Sequence, residues 1–252
     1  MVKTISEIPE RLKKASGLSL GDSYRSDTPL GVVGNPYDDL IANIHKGDFV
    51  LDLGCGRGFG ILTVAQRIGP KGRYLGVDIN SKDVGEARAV ARKVAKWLGY
   101  DTQNYEVTLS DACNLGVKDG AFDCVIACDI LHTLVPEDAC KVLKEASRVC
   151  KTDGRFEALV YAKDFRDLHL RQRKDWGYGD EWKKKYFLEE CAFYSKKELQ
   201  EQLDRAGFSS SIRTVTLDQM YYETDMGGIR NEPAYRFNVS AKKVARSVFY
   251  LP

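Results

Sequence analysis

Apolar and polar positions change period repeatedly along the chain, and each change predicts an element. Phe49-Val50-Leu51-Asp52-Leu53 is a short, nearly continuous apolar run that ends in glycines, which predicts a buried strand. Ile61 to Ile68 switches to helical spacing, and Pro70 and Gly72 break it. Tyr74-Leu75-Gly76-Val77-Asp78 is a second apolar run. Val84 to Trp97 carries Ala and Val at helical intervals and is closed by Gly99. Tyr105 to Leu109 alternates as a strand, and Phe122 to Ala127 predicts a fourth. Glu137 to Val149 predicts a helix with Ala139, Val142, Leu143 and Ala146 on one face. Thr152-Asp153-Gly154 reads as a turn before a fifth strand, Phe156 to Tyr161. Ser195 to Ala206 predicts an amphipathic helix with Ser195 as N-cap, Glu198 at the capping-box position and Gly207 as its stop. Ile212 to Leu217 and Ala234 to Val239 read as two late strands.

Strand and helix alternate from residue 46 to 162, and the early strands are continuously apolar rather than half polar. That pattern predicts an α/β fold with a parallel sheet covered on both faces. The alternation divides the chain into four parts. Residues 1–45 form a leading lid or cap segment, and 46–162 form the core. Residues 163–194 are an aromatic-rich insert, and 195–252 supply a helix and the strands that complete the sheet.

Composition then narrows the function classes. The 252 residues carry 38 Lys+Arg against 36 Asp+Glu, a net charge of +2, which excludes a strongly basic nucleic-acid-coating chain. No uninterrupted apolar run exceeds five residues, whereas a membrane-crossing helix needs about 20. The first 20 residues have scattered charges and no apolar stretch of signal-peptide type. The seven cysteines include no C-x-x-C pair and read as reduced thiols, the expectation for a cytoplasmic protein. No His, Cys, Asp or Glu cluster has a metal-ligand spacing, so no metal is expected.

The chemistry is concentrated in Asp52-Leu53-Gly54-Cys55-Gly56-Arg57-Gly58-Phe59-Gly60, between a predicted strand and a predicted helix. Alternate glycines let the backbone turn tightly and approach a ligand where a Cβ would collide. The dinucleotide spacing G-x-G-x-x-G fails in both registers, because Phe59 and Ile61 stand where a small residue is required. No G-K-[ST] follows, so the loop is not a Walker A motif. What remains is an acid followed by three alternate glycines. A second acid, Asp78, ends the second strand and a third, Asp111, follows the third. Three polar strand ends above one parallel sheet predict a crevice for a ligand with a ribose and a base but no pyrophosphate.

These segments resemble the class I S-adenosylmethionine-dependent methyltransferases, in particular the quinone, sterol and small-molecule branch. The resemblance rests on Val50 to Gly58, Gly76-Val77-Asp78-Ile79-Asn80, Ser110-Asp111-Ala112, Phe122 to Ile126, Leu143 to Val149 and Asp153-Gly154-Arg155, in that order. It implies a Rossmann-like, mostly parallel seven-stranded sheet with helices on both faces, and S-adenosylmethionine as cofactor. It also implies roles for individual positions. Asp52, Gly54, Cys55 (by its backbone) and Gly56 would hold the methionine portion. Asp78 would grip the ribose hydroxyls, with Ile79 stacking on the adenine. Asp111 and Ala112 would address the adenine edge, and Cys128 and Asp129 would line the pocket near the sulfonium. Gly58 and Gly60 would serve packing.

His132 follows the fourth strand and is either a general base facing the acceptor or a packing histidine. Asp123 reads as structural. Tyr24 lies in the candidate lid, and Trp176, Tyr178 and Trp182 are candidate walls of an acceptor pocket. The insert has eight Lys/Arg against seven Asp/Glu, a balance that disfavours a nucleic-acid acceptor. The expected activity is methyl transfer to a small molecule by in-line displacement. RNA, protein or arsenite acceptors are the alternatives, with a nicotinamide oxidoreductase or a non-catalytic binding partner behind them. An arsenite enzyme of this family would place its cysteine one position later than Cys128.

Overall fold

A computed structural model describes residues 40–164, 191–217 and 234–244. Tyr24, Trp176, Tyr178 and Trp182, together with most of the expected lid and insert, lie outside the described residues. Seven strands form one sheet: β1 (Phe49–Leu53), β2 (Arg73–Asp78), β3 (Tyr105–Leu109), β4 (Phe122–Cys128), β5 (Cys150–Tyr161), β6 (Phe208–Leu217) and β7 (Ala234–Lys243). Their order is β3-β2-β1-β4-β5-β7-β6. β1 to β5 pair in parallel, and β7 runs antiparallel to both β5 and β6. This is the expected Rossmann-like sheet. Strand order reverses between β1 and β4, so the crevice outside their carboxyl ends is where this architecture binds ligands.

Two apolar clusters hold helices to the two faces. α1 (Ile61–Ile68) and α2 (Ser81–Leu98) bury Val64, Ala65, Ala87 and Val94 against Val50, Cys124 and Ile126. α3 (Pro136–Val149) and α4 (Lys196–Ala206) bury Val142, Leu143, Leu199 and Leu203 against Leu51, Val125, Phe156 and Phe208. Local sequence sets the helix ends. Asn80 caps α2 by accepting from the Lys82 and Asp83 amides, and Gly99 ends it in the left-handed region. Ser195 and Glu198 form the expected capping box of α4. Pro136 opens α3, with Glu137 and Asp138 in its first turn. Asp123 is structural as expected: it accepts from the Phe49 amide and pairs with Lys151, pinning the start of β1 to β4 and β5.

Two boundaries differ from the pattern. Thr152-Asp153-Gly154 does not separate α3 from the fifth strand but lies inside β5 as a bulge. Phe122 pairs with Cys150 and Cys124 with Arg155, so the extra residues bow out of the ladder, with Asp153 at φ 61°. β6 starts at Phe208 rather than Ile212. It is the edge strand, where Ser209, Ser210 and Ser211 can pair on one side and face solvent on the other.

Candidate functional site

The carboxyl ends of β1, β2 and β3 are joined by backbone. Cys55 donates to the Val77 carbonyl at 3.0 Å, and Ser110 donates to the Asp78 carbonyl at 3.0 Å. The glycine loop leaves β1 with Gly54 at φ 68° and Gly56 at φ 50°. A Cβ on Gly54 would stand 2.8 Å from the Ile130 Cδ1, which fixes the chain after β4 against the loop. At Gly56 a Cβ would meet nothing within 4 Å, so here the loop faces open space. Gly58 has the expected packing role: a Cβ there would come within 3.3 Å of the Ala87 backbone on α2.

Asp78 is the centre of the arrangement. Its Oδ2 accepts from the Gly56 amide at 2.9 Å and its Oδ1 from the Asn80 amide at 2.9 Å. Those bonds hold the carboxylate at the mouth of the loop, and each oxygen keeps lone-pair capacity for a hydroxyl. Ile79, the next residue, is 74% exposed. Leu109 pairs with Asp78 in the sheet register and is 52% exposed. Two bare aliphatic residues next to a fixed carboxylate, one along the chain and one across the sheet, suit a flat apolar ring attached to a diol. Asp111 is exposed, with Oδ1 accepting from the Cys113 amide at 2.8 Å, and Ala112 beside it is half-buried.

Asp52 sits beneath the loop and is fully buried. It does not cap α1, whose N-cap is Gly60 with no side-chain bond. Its Oδ2 accepts from the Tyr74 hydroxyl at 2.8 Å, and its Oδ1 has no hydrogen-bond partner. Burial pushes its carboxyl up to about 7, with the Tyr74 bond opposing and the Asp78 charge adding to the shift. Tyr74 reaches it across Gly76, where a Cβ would stand 2.9 Å from the Tyr74 hydroxyl and 2.9 Å from the Cys55 Sγ. Cys55 is buried beside this pair, and burial carries its thiol well above the usual range.

The other wall follows β4. Cys128 is half-buried, with its thiol 3.8 Å from the Asp129 carboxylate. Asp129 has φ 59°, and its amide donates to the Leu159 carbonyl. A non-glycine residue in that region costs about 1 kcal/mol or more, and here it directs Ile130 onto Gly54. His132 is buried rather than open to the crevice. Its Nδ1 accepts from the Tyr161 amide at 3.4 Å, which places the ring proton on Nε2. The ring meets Tyr161 edge-on at 4.7 Å and lies 5.5 Å from Phe193. Burial pulls its pKa down to about 3.

The structure thus brings Asp52, Gly54, Cys55, Gly56, Asp78, Ile79, Asp111 and Ala112 to one edge, with Cys128 and Asp129 across the reversal of strand order. Leu109 and Ile130 belong to the same edge, and Tyr74 reaches Asp52 with its hydroxyl from nearer the start of β2; none of the three was legible as a site residue. The signal for Tyr74 was present in Tyr74-x-Gly76: a glycine two residues along a strand leaves a slot that its neighbour on the same face can cross.

A family profile described as a methyltransferase domain matches residues 44–207. The chain belongs to the methyltransferase-domain family. S-adenosylmethionine is the family's cofactor, and the fixed Asp78, the exposed Ile79 and the orphaned Asp52 oxygen fit its ribose, adenine and cationic methionine ends. This methyltransferase-domain chain is 35% identical over 130 residues to an arsenite methyltransferase of Halobacterium salinarum, covering 52% of this chain and 30% of that protein. It is 35% identical over 114 residues to a demethylmenaquinone methyltransferase of Lactobacillus johnsonii, covering 44% of this chain and 43% of that protein. The matched region is therefore less than half the length of either relative. An arsenic(III) S-adenosylmethionine methyltransferase from Chlamydomonas reinhardtii shares the fold with a TM-score of 0.61 at 21% identity, over 95% of this chain and 71% of that one. Among the described residues no group of three metal-ligating side chains converges, and no helix is long and apolar enough to cross a membrane.

Proposed function

We propose that the protein transfers a methyl group from S-adenosylmethionine to a small-molecule acceptor by in-line displacement at the methyl carbon. The observation that carries this reading is the Asp78 carboxylate, held by two amides next to the exposed Ile79 and Leu109 at the point where strand order reverses. The cofactor supplies an activated methyl group. The chain's own residues bind it, hold its charged end over β1 and exclude water. Asp78 takes the ribose hydroxyls, and Ile79 with Leu109 takes the base. Asp111 and Ala112 address the base edge, Gly54 and Gly56 allow close approach, and Cys128 and Asp129 line the side facing the acceptor.

His132 is assigned a packing role. A neutral imidazole, already accepting a backbone bond and with its pKa pulled down to about 3 by burial, orients the end of β5 rather than removing a proton from an acceptor. Tyr24, Trp176, Tyr178 and Trp182 remain the proposed acceptor walls. None of the seven cysteines is joined in a disulfide, which supports a reducing, cytoplasmic setting. A second reading, a metalloid acceptor, is supported by the arsenite methyltransferase relative. Two half-buried thiols also flank the segment after β4: Cys128 at its start, and Cys191 with its Sγ 3.6 Å from the Thr133 carbonyl.

Calorimetry with S-adenosylmethionine and S-adenosylhomocysteine tests the cofactor reading, and absence of binding by both overturns it. A methyl-transfer screen over phenols, amines, thiols, demethylated quinones and arsenite then selects the acceptor. Turnover of arsenite alone favours the second reading over the first.

A further inference from the structure

Asp52 has more burial than its own partners justify. It is fully buried in β1, yet Oδ1 accepts no hydrogen bond. A buried carboxylate is ordinarily paired with a cation or fully hydrogen-bonded. Among the described residues, the groups around it supply no cation. β2 contributes the neutral Tyr74 hydroxyl and, at its end, the negative Asp78. β4 contributes Ile126, its register partner, and the loop contributes the Cys55 thiol. α1 and α2 turn Ile61, Leu62, Val84 and Ala87 inward. The glycine loop's own cation, Arg57, is turned outward to Asp83 and Glu86.

We propose that Asp52 is a proton-linked charge partner for the cofactor's methionine end: the ligand-free protein holds it as the neutral acid, and arrival of the ligand's α-ammonium expels its proton to solvent. The balance is simple. One carboxylic acid and one cationic ligand become a carboxylate beside that cation plus one released proton, and no covalent bond changes other than O–H. The inference rests on the cofactor reading above and adds to it a site-specific linkage between binding and pH. The position of the acid's titration near neutrality makes the linkage observable in an ordinary working range.

Calorimetry of S-adenosylhomocysteine binding in two buffers of different ionisation enthalpy reads the proton directly. At pH 6 the wild type is expected to release close to one proton per ligand, and its affinity is expected to weaken about tenfold per pH unit on acidification below 7. Asp52→Asn is expected to bind with no linked proton and a flat profile across the same range. Tyr74→Phe removes the donor that favours the charged form and is expected to move the bend in the affinity profile to higher pH. 5′-Methylthioadenosine, which lacks the ammonium, is expected to bind without proton release. Binding of S-adenosylhomocysteine by the wild type with no released proton overturns the inference and leaves the cofactor reading intact. Equal release with 5′-methylthioadenosine overturns it too, because the proton would then come from the ribose end. Failure of every ligand to bind overturns the cofactor reading itself and the inference with it.

Discussion

Asp52 and Glu157 are two buried carboxyl groups on one row of the sheet, separated by Ile126 in the strand between them. Burial pushes both up to about 7. Their surroundings differ. Glu157 accepts at Oε1 from the Asn43 amide at 3.0 Å and the Ser240 hydroxyl at 3.1 Å, with the Arg155 charge opposing its shift. It joins the chain before β1 to β5 and β7, and the fold itself satisfies it. Asp52 keeps an orphaned oxygen under a glycine loop. A buried acid completed by the protein is structural, while one left incomplete beside a crevice is waiting for a ligand.

The contrast can be broken most sharply from the ligand side. Asp78→Ala removes a charge-assisted acceptor for two ribose hydroxyls, about 3 kcal/mol, so S-adenosylhomocysteine affinity is expected to fall about 100-fold by calorimetry. Glu157→Ala is expected to leave that affinity within about twofold, and an equal loss in both variants would erase the distinction. The stability effects reverse. Glu157→Ala removes the acceptor shared by the Asn43 amide and the Ser240 hydroxyl, which keep only their bond to each other, and is expected to cost about 1–2 kcal/mol in chemical denaturation of the ligand-free protein. Asp52→Asn is expected to cost less, because the amide oxygen can still accept from the Tyr74 hydroxyl.

His132 extends the contrast with the opposite sign. Its folded pKa of about 3 lies below its ordinary 6.5, so its contribution to stability is present above 6.5 and is lost as the pH falls. From pH 6.5 to 5 the wild type is expected to lose about 2 kcal/mol through this group, a loss that His132→Phe does not show. The same variant is expected to keep any pH dependence of methyl transfer near neutrality. Disappearance of a bend near pH 6–7 in kcat/KM would restore His132 as a base.

The smallest expected effect concerns the two acids in the ligand-free protein. Each has a folded value above its unfolded one, so each stabilises the fold at low pH and loses that contribution as the pH rises toward 7. Between pH 6 and 7 each accounts for about 1 kcal/mol, removed singly by Asp52→Asn or Glu157→Gln. Saturating S-adenosylhomocysteine is expected to abolish the Asp52 difference and leave the Glu157 difference unchanged.

Much of the fold was legible in local pattern. Continuous apolar strands, Gly99 and Gly207 as helix stops, and the Ser195–Glu198 box act over a few residues, so the chain states them directly. The β5 bulge was read as a turn because Asp153-Gly154 has turn chemistry wherever it occurs. Only the pairing of the flanking Cys150 and Arg155 with β4, and of Arg155 with β7, keeps those residues within a strand. The apolar pattern starts the edge strand at Ile212, because Ser209, Ser210 and Ser211 carry no apolar alternation and only pairing with β7 makes them strand.

For the site, the sequence by itself determined the glycine loop, the acids at three strand ends and Ile79 beside Asp78, because strand-end chemistry follows from order and spacing. Tertiary structure alone decided which of those groups is buried, paired or orphaned. Asp52 and Asp78 look alike in the chain, but one lies under the loop with a single donor and the other at its mouth with two. His132 reads equally as a base or a packing residue until Tyr161 and Phe193 enclose it. Desolvation depends on everything that surrounds a group, including residues more than a hundred positions away, and no local stretch of sequence carries that information.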